Sequence, residues 1–111
     1  MNQRKVLAVM TAITGDRVVV GELEVKHVIE EHFQFVPVDM ILELVEKILK
    51  DPTEIYEERT AHLYHLFYRL EDGRYLVVVI KKGKTGNYFS SVYPTGKSVR
   101  KRHRGLRKVK L

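Results

Sequence analysis

Residues 74–82 have the sequence RYLVVVIKK, in which five consecutive aliphatic residues predict a central β-strand. Before it, the aromatic-rich run HLYHLFYRL at 62–70 ends at the hairpin signal Glu71-Asp72-Gly73. After it, GKTGN predicts a turn, and YFSSVY at 88–93 predicts a further strand. Three strands in series with short connections predict an antiparallel meander.

The preceding residues predict a hairpin and two helices. The β-capable runs KVLAVMTA at 5–12 and RVVV at 17–20 flank the turn residues Thr14-Gly15-Asp16. Residues 22–33 carry apolar residues at helical spacing, and a second helix is expected from Asp39 to the stop at Asp51-Pro52. The second helix has one apolar stripe, formed by Ile41, Leu42, Val45, Ile48 and Leu49.

The expected architecture is therefore α+β, with N-terminal helices packed on a C-terminal antiparallel meander of about four strands. A chain of 111 residues has room for one hydrophobic core. We assign residues 1–100 to a single domain and residues 101–111 to a basic C-terminal tail.

The composition excludes several classes of protein. No run of about 18 or more apolar residues is present, and no apolar segment follows the polar N-terminus, so neither a membrane span nor a secretory signal is expected. Cysteine is absent, which excludes disulfides, thiolate zinc sites and a cysteine nucleophile. These features favour a cytoplasmic protein.

Charge is divided unevenly along the chain. Residues 1–60 hold 7 Lys/Arg and 12 Asp/Glu, a net charge of −5, whereas residues 61–111 hold 13 and 2, a net charge of +11. So basic a half favours a polyanionic partner, and RNA is the expected one. The candidate nucleic-acid-binding residues follow the last predicted strand: Lys97, Arg100, Lys101, Arg102 and Arg104. A solvated tail without a partner is the alternative for residues 101–111.

Histidine is the side chain best suited to proton transfer near neutral pH. His27 and His32 lie about 140° apart around a predicted helix, so they do not share a face. His32 falls on the stripe with Val25 and Val28 and is expected to be packed or helix-terminal, whereas His27 is freer to reach a substrate. A metal-binding pair would favour a spacing of about four residues with acidic support, so no metal or other cofactor is expected.

Two further histidines lie in the predicted strand at 62–70. His62 and His65 are three residues apart and therefore point to opposite faces, and one of them is expected to be structural. Arg59 precedes this strand and is a candidate phosphate clamp. A local ion pair with the neighbouring glutamates is the alternative for Arg59.

The last predicted strand and the residues after it, YFSSVYPTGKSVRKR, mix aromatic rings, hydroxyls and cations. Rings stack on bases, and hydroxyls and cations contact phosphate, so this segment is the expected RNA surface. Ser91, Tyr93 and Thr95 are the candidates for orienting the scissile group. Lys97 and Arg100 are the candidates for holding the phosphate.

Four pieces of the chain, in their order, resemble the small phage-type members of the barnase, EndoU, colicin and RelE-like ribonuclease superfamily. The first piece is a hairpin, and the second is a helix that opens with His27-Val28 and reaches His32. The third piece is a helix that ends in Asp51-Pro52-x-Glu54-Ile55-Tyr56. The fourth piece is a meander whose last strand carries SSVYPT at 90–95. The likeness extends over nearly the whole chain, from residue 5 to residue 100.

The resemblance implies helices on one face of a four-stranded antiparallel sheet and RNA on the other, concave face. It also implies toxin-like or phage-associated enzymes that cleave RNA without metal, with an acidic inhibitor protein as a further partner. By position, the resemblance implies that the histidine of the early helix is His27 and that the hydroxyl of the last strand is Ser91 or Thr95. The residue that opens the meander would be Arg59 or His62. Glu31 stands where such proteins commonly have Arg, and Val92 where a small residue is typical, which implies an altered substrate or lost activity.

The leading hypothesis is a metal-independent endoribonuclease that cleaves RNA by attack of the 2′-hydroxyl on the adjacent phosphate. No metal is required, because the nucleophile is part of the substrate. The catalytic candidates are His27, Arg59, His62, Ser91, Tyr93 and Thr95. The alternatives are a non-catalytic RNA- or DNA-binding module that uses the same basic strand and tail, and a protein whose acidic first half docks a basic partner.

Overall fold

Two helices and seven strands occur in the residues that the structure, a computed structural model, describes: 5–58, 63–96 and 106–110. The elements are, in chain order, β1 (Val6–Thr11), β2 (Arg17–Gly21), α1 (Glu22–His32), α2 (Val38–Lys50), β3 (Glu54–Glu58), β4 (Leu63–Glu71), β5 (Arg74–Lys82), β6 (Asn87–Thr95) and β7 (Arg107–Val109). The chain is thus an α+β domain in which both helices lie between strands.

All seven strands belong to one mixed sheet with the order β1-β2-β6-β5-β4-β3-β7. Neighbouring strands are antiparallel except β2 and β6, which pair in parallel through Val18–Asn87 and Val19–Tyr88. The predicted architecture, N-terminal helices on a meander of about four strands, is therefore wrong. The parallel pair joins the first hairpin to the meander, and two further strands extend the sheet beyond β4.

The local sequence pattern does not predict β3 or β7. β3 has the sequence EIYEE, and its glutamates are unfavourable in strands, yet it pairs with β4 over its whole length. β7 lies within the segment assigned to the basic tail and pairs with β3 through Ile55–Val109. Both strands exist because a neighbouring strand offers unpaired backbone groups, which is a tertiary effect.

The hairpin predicted at Glu71-Asp72-Gly73 is confirmed. β4 and β5 pair from Leu63–Lys82 to Glu71–Arg74, so the connection is the two residues Asp72 and Gly73. Both have positive φ, 48° and 77°, as the tight turns that match strand twist require.

A β-bulge at Ser90 sets the direction of the side chains in β6. Val79 is opposite Ser91 and Ile80 is opposite Phe89, which leaves Ser90 as the extra residue. Phe89 and Val92 are consequently both buried in the core, although strict alternation would place them on opposite faces. The bulge therefore turns the side chains of Ser91, Tyr93 and Thr95 away from the helices.

Both predicted helices are present close to their expected bounds. α1 starts directly after Gly21, and α2 starts after Pro37 and ends at Lys50, two residues before Pro52. Within the described ranges, no helix is long and apolar enough to cross a membrane.

The helices cover one face of the sheet, which we call the inner face. α2 buries four residues of its predicted stripe there, Ile41, Val45, Ile48 and Leu49, against core residues of the strands. Each fully buried aliphatic side chain contributes about 1.5–3 kcal/mol, so this stripe alone accounts for much of the attachment of α2. The opposite face, which we call the outer face, has its own cluster around Leu66, Tyr68 and Val77.

Candidate active site

The outer face carries all six tyrosines of the chain. Residues directly opposite each other on paired strands share a face, so the register arranges these tyrosines in rows across the sheet. One row is Tyr64, Lys81 and Tyr88, on β4, β5 and β6. The following rows contain Tyr56 with Ser91, Tyr68 with Tyr93, and Tyr75 with Thr95.

The row of Tyr64, Lys81 and Tyr88 is accessible. Lys81 is exposed, and the tyrosines on either side of it are half-buried. A cavity of about 510 Å³ adjoins this row and is lined by Lys81, Tyr88, Glu24 and Ser90 among others. Aromatic rings beside an ammonium group suit single-stranded nucleic acid, because the rings stack on bases and the cation binds phosphate.

The centre of the outer face is closed. Leu66, Tyr68 and Val77 are buried, and Leu106 packs against them. The ring of Tyr68 makes edge-to-face contacts with Tyr56 and Tyr75, with centroids 5.6 and 6.1 Å apart. The accessible part of this face is therefore its periphery, which includes the row of Tyr64, Lys81 and Tyr88 and the edge of β6.

At the edge of β6, α1 brings a histidine to the outer face. β2 pairs with β6 only as far as Tyr88, and α1 packs along the strand beyond that point. The ring of His32 lies 5.9 Å from the ring of Tyr93, tilted by 42°. Ser91, half-buried, and Thr95, buried, flank Tyr93 on the same face of the strand. Three of the predicted site residues thus lie together, next to a histidine.

His27 lies on another side of α1. Its side chain is 64% exposed, and its Nε2 is 3.1 Å from Oε1 of Glu31, one helical turn further on. The two histidines occupy different faces of the helix, as their spacing predicts, but the one beside β6 is His32. Helical spacing alone equates the apolar stripe with the core, whereas the last turn of this stripe passes over the edge of β6. The role of His27 stays a prediction.

Several predicted site residues lie outside the described residues: Arg59, His62, Lys97, Arg100, Lys101, Arg102 and Arg104. Of the basic residues that follow them, Lys108 is exposed on β7, with its Nζ 3.8 Å from Oε1 of Glu54. Its role in binding nucleic acid is likewise a prediction.

A second group of ionisable side chains lies on the inner face of the sheet. Nζ of Lys82 is 2.6 Å from Oδ1 of Asp16, and Nε2 of His65 is 3.7 Å from Oε2 of Glu57. These side chains are only 11–27% exposed. Among the described residues, Nδ1 of His65 meets no hydrogen-bond partner. The sequence pattern does not predict this group, because its members come from the β1–β2 turn and three different strands.

Burial, followed by the positive charge of Lys82, lowers the pKa of His65, and the carboxylates of Asp16 and Glu57 only partly oppose this. His65 is therefore neutral at pH 7. For Asp16, burial acts to raise the pKa, but the hydrogen bonds with Lys82 and Thr14 outweigh it and lower the pKa. A neutral, buried imidazole beside a fixed ion pair is typical of a structural histidine.

The donor set for a metal is incomplete in the parts of the chain that the structure describes. No group there brings together three or more His, Asp or Glu side chains in an arrangement that could hold a metal ion. The candidate site at β6 consists of the imidazole of His32, the phenol of Tyr93 and the hydroxyls of Ser91 and Thr95.

Comparison with known proteins identifies no relative. No protein-family model, no curated protein and no solved structure matches the chain. The resemblance to the ribonuclease superfamily stays a prediction based on four short pieces of sequence, and the function is argued from the geometry.

Proposed function

We propose that the protein is a metal-independent endoribonuclease whose site lies where the end of α1 meets the outer face of β6. The observation that carries this proposal is the contact between the rings of His32 and Tyr93, whose centroids are 5.9 Å apart. Ser91 and Thr95 lie on either side of Tyr93 on the same face. Proton transfer and orientation of a phosphate group need side chains of these kinds close together.

The reaction would use the 2′-hydroxyl of the substrate as the nucleophile. Its oxygen forms a bond to phosphorus while its proton passes to a base. The bond from phosphorus to the 5′-oxygen breaks, and that oxygen takes up a proton from an acid. The products are a 2′,3′-cyclic phosphate and a 5′-hydroxyl. An imidazole is suited to either proton transfer near neutral pH, and His32 is the imidazole at this place.

Binding would extend from this site to the accessible row on the outer face. Between Tyr88 and Tyr93 the strand rises by about 3.3 Å per residue, so the row and the His32 site are a few nucleotides apart along a single strand of RNA. Lys81 supplies positive charge in the row. Cations to stabilise the crowded phosphorus are abundant in the sequence after β6, which has 8 Lys/Arg from residue 97 onward.

A non-catalytic RNA-binding module is the second candidate. The observation that favours it is the row of Tyr64, Lys81 and Tyr88 with its adjoining cavity of about 510 Å³, which would bind RNA without any histidine. In both cases we propose a cytoplasmic location, and for the enzyme an acidic inhibitor protein as a partner.

The test is cleavage of a labelled single-stranded RNA by the purified chain in EDTA. The His32→Ala variant is expected to lose about 100-fold or more in rate, because it removes a proton-transfer group. His27→Ala tests the histidine that the sequence alone predicts to be catalytic. If the site lies at β6, this variant is expected to keep the activity, because His27 lies on another face of α1. A substrate with a 2′-deoxy sugar at the cleaved position should remain intact.

Two results would contradict parts of the proposal. RNA that stays intact in EDTA but binds in a salt-sensitive manner favours the binding module. Activity that is lost in His27→Ala and kept in His32→Ala places the reaction on the other side of α1. Thermal unfolding of both variants separates these results from a loss of folding.

A further inference from the structure

The corner between α1 and α2 exposes an aromatic side chain almost completely. Phe35 is 99% exposed, and its φ of 69° lies in the left-handed region that bulky residues rarely adopt. Met40, in the first turn of α2, is 57% exposed. Packing within the domain does not explain why Phe35 is exposed to water on a strained backbone. Backbone strain of this kind is typical of functional positions.

Apolar hollows adjoin the loop that carries Phe35. One, of about 360 Å³, is lined by Ile29, Glu30, Gln34 and Phe35. The other, of about 370 Å³, is lined mainly by Phe33, Val36, Met40 and Leu44. We call Phe33, Phe35, Val36, Met40 and Leu44 the corner patch. Phe35 and Met40 are exposed, and Phe33, Val36 and Leu44 are half-buried beside the hollows. Apolar surface that is grouped in this way marks interaction sites, unlike apolar residues that are scattered singly.

The surroundings of the corner patch are acidic. Residues 27–46 include five acidic residues and neither Lys nor Arg. All five are exposed: Glu30, Glu31, Asp39, Glu43 and Glu46. Glu30 lines the first hollow and Glu43 the second. Lys47 also lines the second hollow, but its ammonium group is paired with Glu71. Glu31 lies 3.1 Å from His27 and Glu46 lies 3.4 Å from Lys50, so Glu30, Asp39 and Glu43 supply the charge with which the corner repels phosphate and attracts Lys and Arg.

We propose that the corner patch is a docking site for a basic, amphipathic segment of a partner protein. Apolar side chains of the segment would enter the two hollows on either side of Phe35. Its Lys or Arg residues would meet Glu30 and Glu43, which line the hollows, and the exposed Asp39, which precedes Met40. An apolar face flanked by cations is a common design for helical segments that bind grooves. This proposal does not depend on the proposed ribonuclease activity.

Other occupants fit the corner patch less well. RNA would stack on Phe35, but its phosphates would meet the acidic side chains without a compensating Lys or Arg in residues 27–46. A second copy of the chain would have to place its basic half against the acidic corner of the first. Such a contact is either reciprocal in a two-fold dimer or repeats head-to-tail into a ring or a polymer, and sedimentation detects each of these assemblies.

The test uses the full chain and a labelled amphipathic peptide of leucine and lysine, with a matched peptide of leucine and glutamate, in fluorescence anisotropy. Phe35→Gly is expected to weaken binding of the leucine–lysine peptide by about tenfold or more. It should not lower Tm, because glycine tolerates the positive φ at this position. Glu43→Gln should weaken the same binding. The control variant is Leu23→Ser. It changes an exposed apolar residue at the start of α1, at the opposite end of the helix from Phe35, and it avoids placing glycine inside the helix.

The proposal is supported if the leucine–lysine peptide alone binds and Leu23→Ser has no effect. It is overturned by equal binding of the peptide to the chain and to Phe35→Gly, or by no binding at all. It is also overturned if Phe35→Gly weakens binding of single-stranded RNA instead, or if sedimentation detects self-association that Phe35→Gly abolishes. A clear fall in Tm for Phe35→Gly would assign Phe35 a structural role and overturn it too.

Discussion

His65 and His32 illustrate how much the surroundings of a single side chain matter. His65 is buried on the inner face between Glu57 and the Lys82–Asp16 pair, and its lowered pKa keeps it neutral. His32 is partly exposed against a tyrosine at a strand edge. Chemically identical residues are thus placed for different tasks, because one loses contact with water and the other keeps it.

The titration of His65 predicts how stability changes with pH. Its pKa in the fold lies below its value of about 6.5 in the unfolded chain, so the unfolded chain binds more protons as the pH falls past that value. Its contribution is therefore fully present above about pH 6.5 and is lost progressively at lower pH. The His65→Gln variant should lose less stability between pH 8 and pH 5 than the parent chain, measured by urea unfolding. The exposed His27→Gln is the control, and equal losses in the parent chain and His65→Gln would refute the prediction.

At the scale of elements, the segment after residue 105 has two separable properties, a strand and a charge. β7 pairs with β3, and Val109 packs against the core of the inner face. The same segment contains cations that suit RNA. A deletion therefore changes both properties, and a charge substitution changes only one.

Deleting residues 106–111 is expected to lower the free energy of unfolding by about 2–3 kcal/mol, because Leu106 and Val109 lose their packing on the two faces and β3 loses its partner. The matched variant Lys108→Gln with Lys110→Gln keeps β7 and should change stability by less than about 0.5 kcal/mol. It should nevertheless weaken RNA binding. Urea unfolding and fluorescence anisotropy measure the two effects. If the deletion leaves stability unchanged, β7 does not contribute to the fold.

At the scale of the whole molecule, charge is sorted between the two halves of the chain. The helices belong to the half with a net charge of −5, and β4 to β7 belong to the half with +11. The tertiary structure places the helices over the inner face and leaves Lys81 on the outer face. A polyanion is therefore expected to approach the outer side, and a basic partner the corner between the helices.

Binding of RNA should weaken steeply as salt rises, because each phosphate contact releases counterions. For single strands, the slope of log K against log salt concentration is about −0.7 for each contact, so Lys81→Gln should reduce its magnitude by about 0.7. Lys50→Gln on α2 is the control, since Lys50 lies among helix residues, with its Nζ 3.4 Å from Glu46. Anisotropy titrations at several salt concentrations give the slopes. An unchanged slope in Lys81→Gln would place the RNA elsewhere.

The candidate site was predictable only in part. The mixture of hydroxyls and a ring in β6 pointed to Ser91, Tyr93 and Thr95, since the residue types carry that chemistry themselves. Helical spacing predicts that His32, which meets them, is packed in the core, because spacing cannot distinguish a core from a strand edge. No local pattern predicts the group around His65, because its members meet only through the register of β3, β4 and β5 and the β1–β2 turn.

Local spacing is enough to predict α1, α2 and the turn at Asp72-Gly73, because apolar periodicity, proline and positive φ act within a few residues. The parallel pairing of β2 with β6, the bulge at Ser90 and the strands β3 and β7 follow only from the tertiary structure. Each depends on backbone groups that are distant in sequence and become neighbours when the sheet forms. The same pairing divides the residues between the two faces, and it therefore determines which side chains can act together.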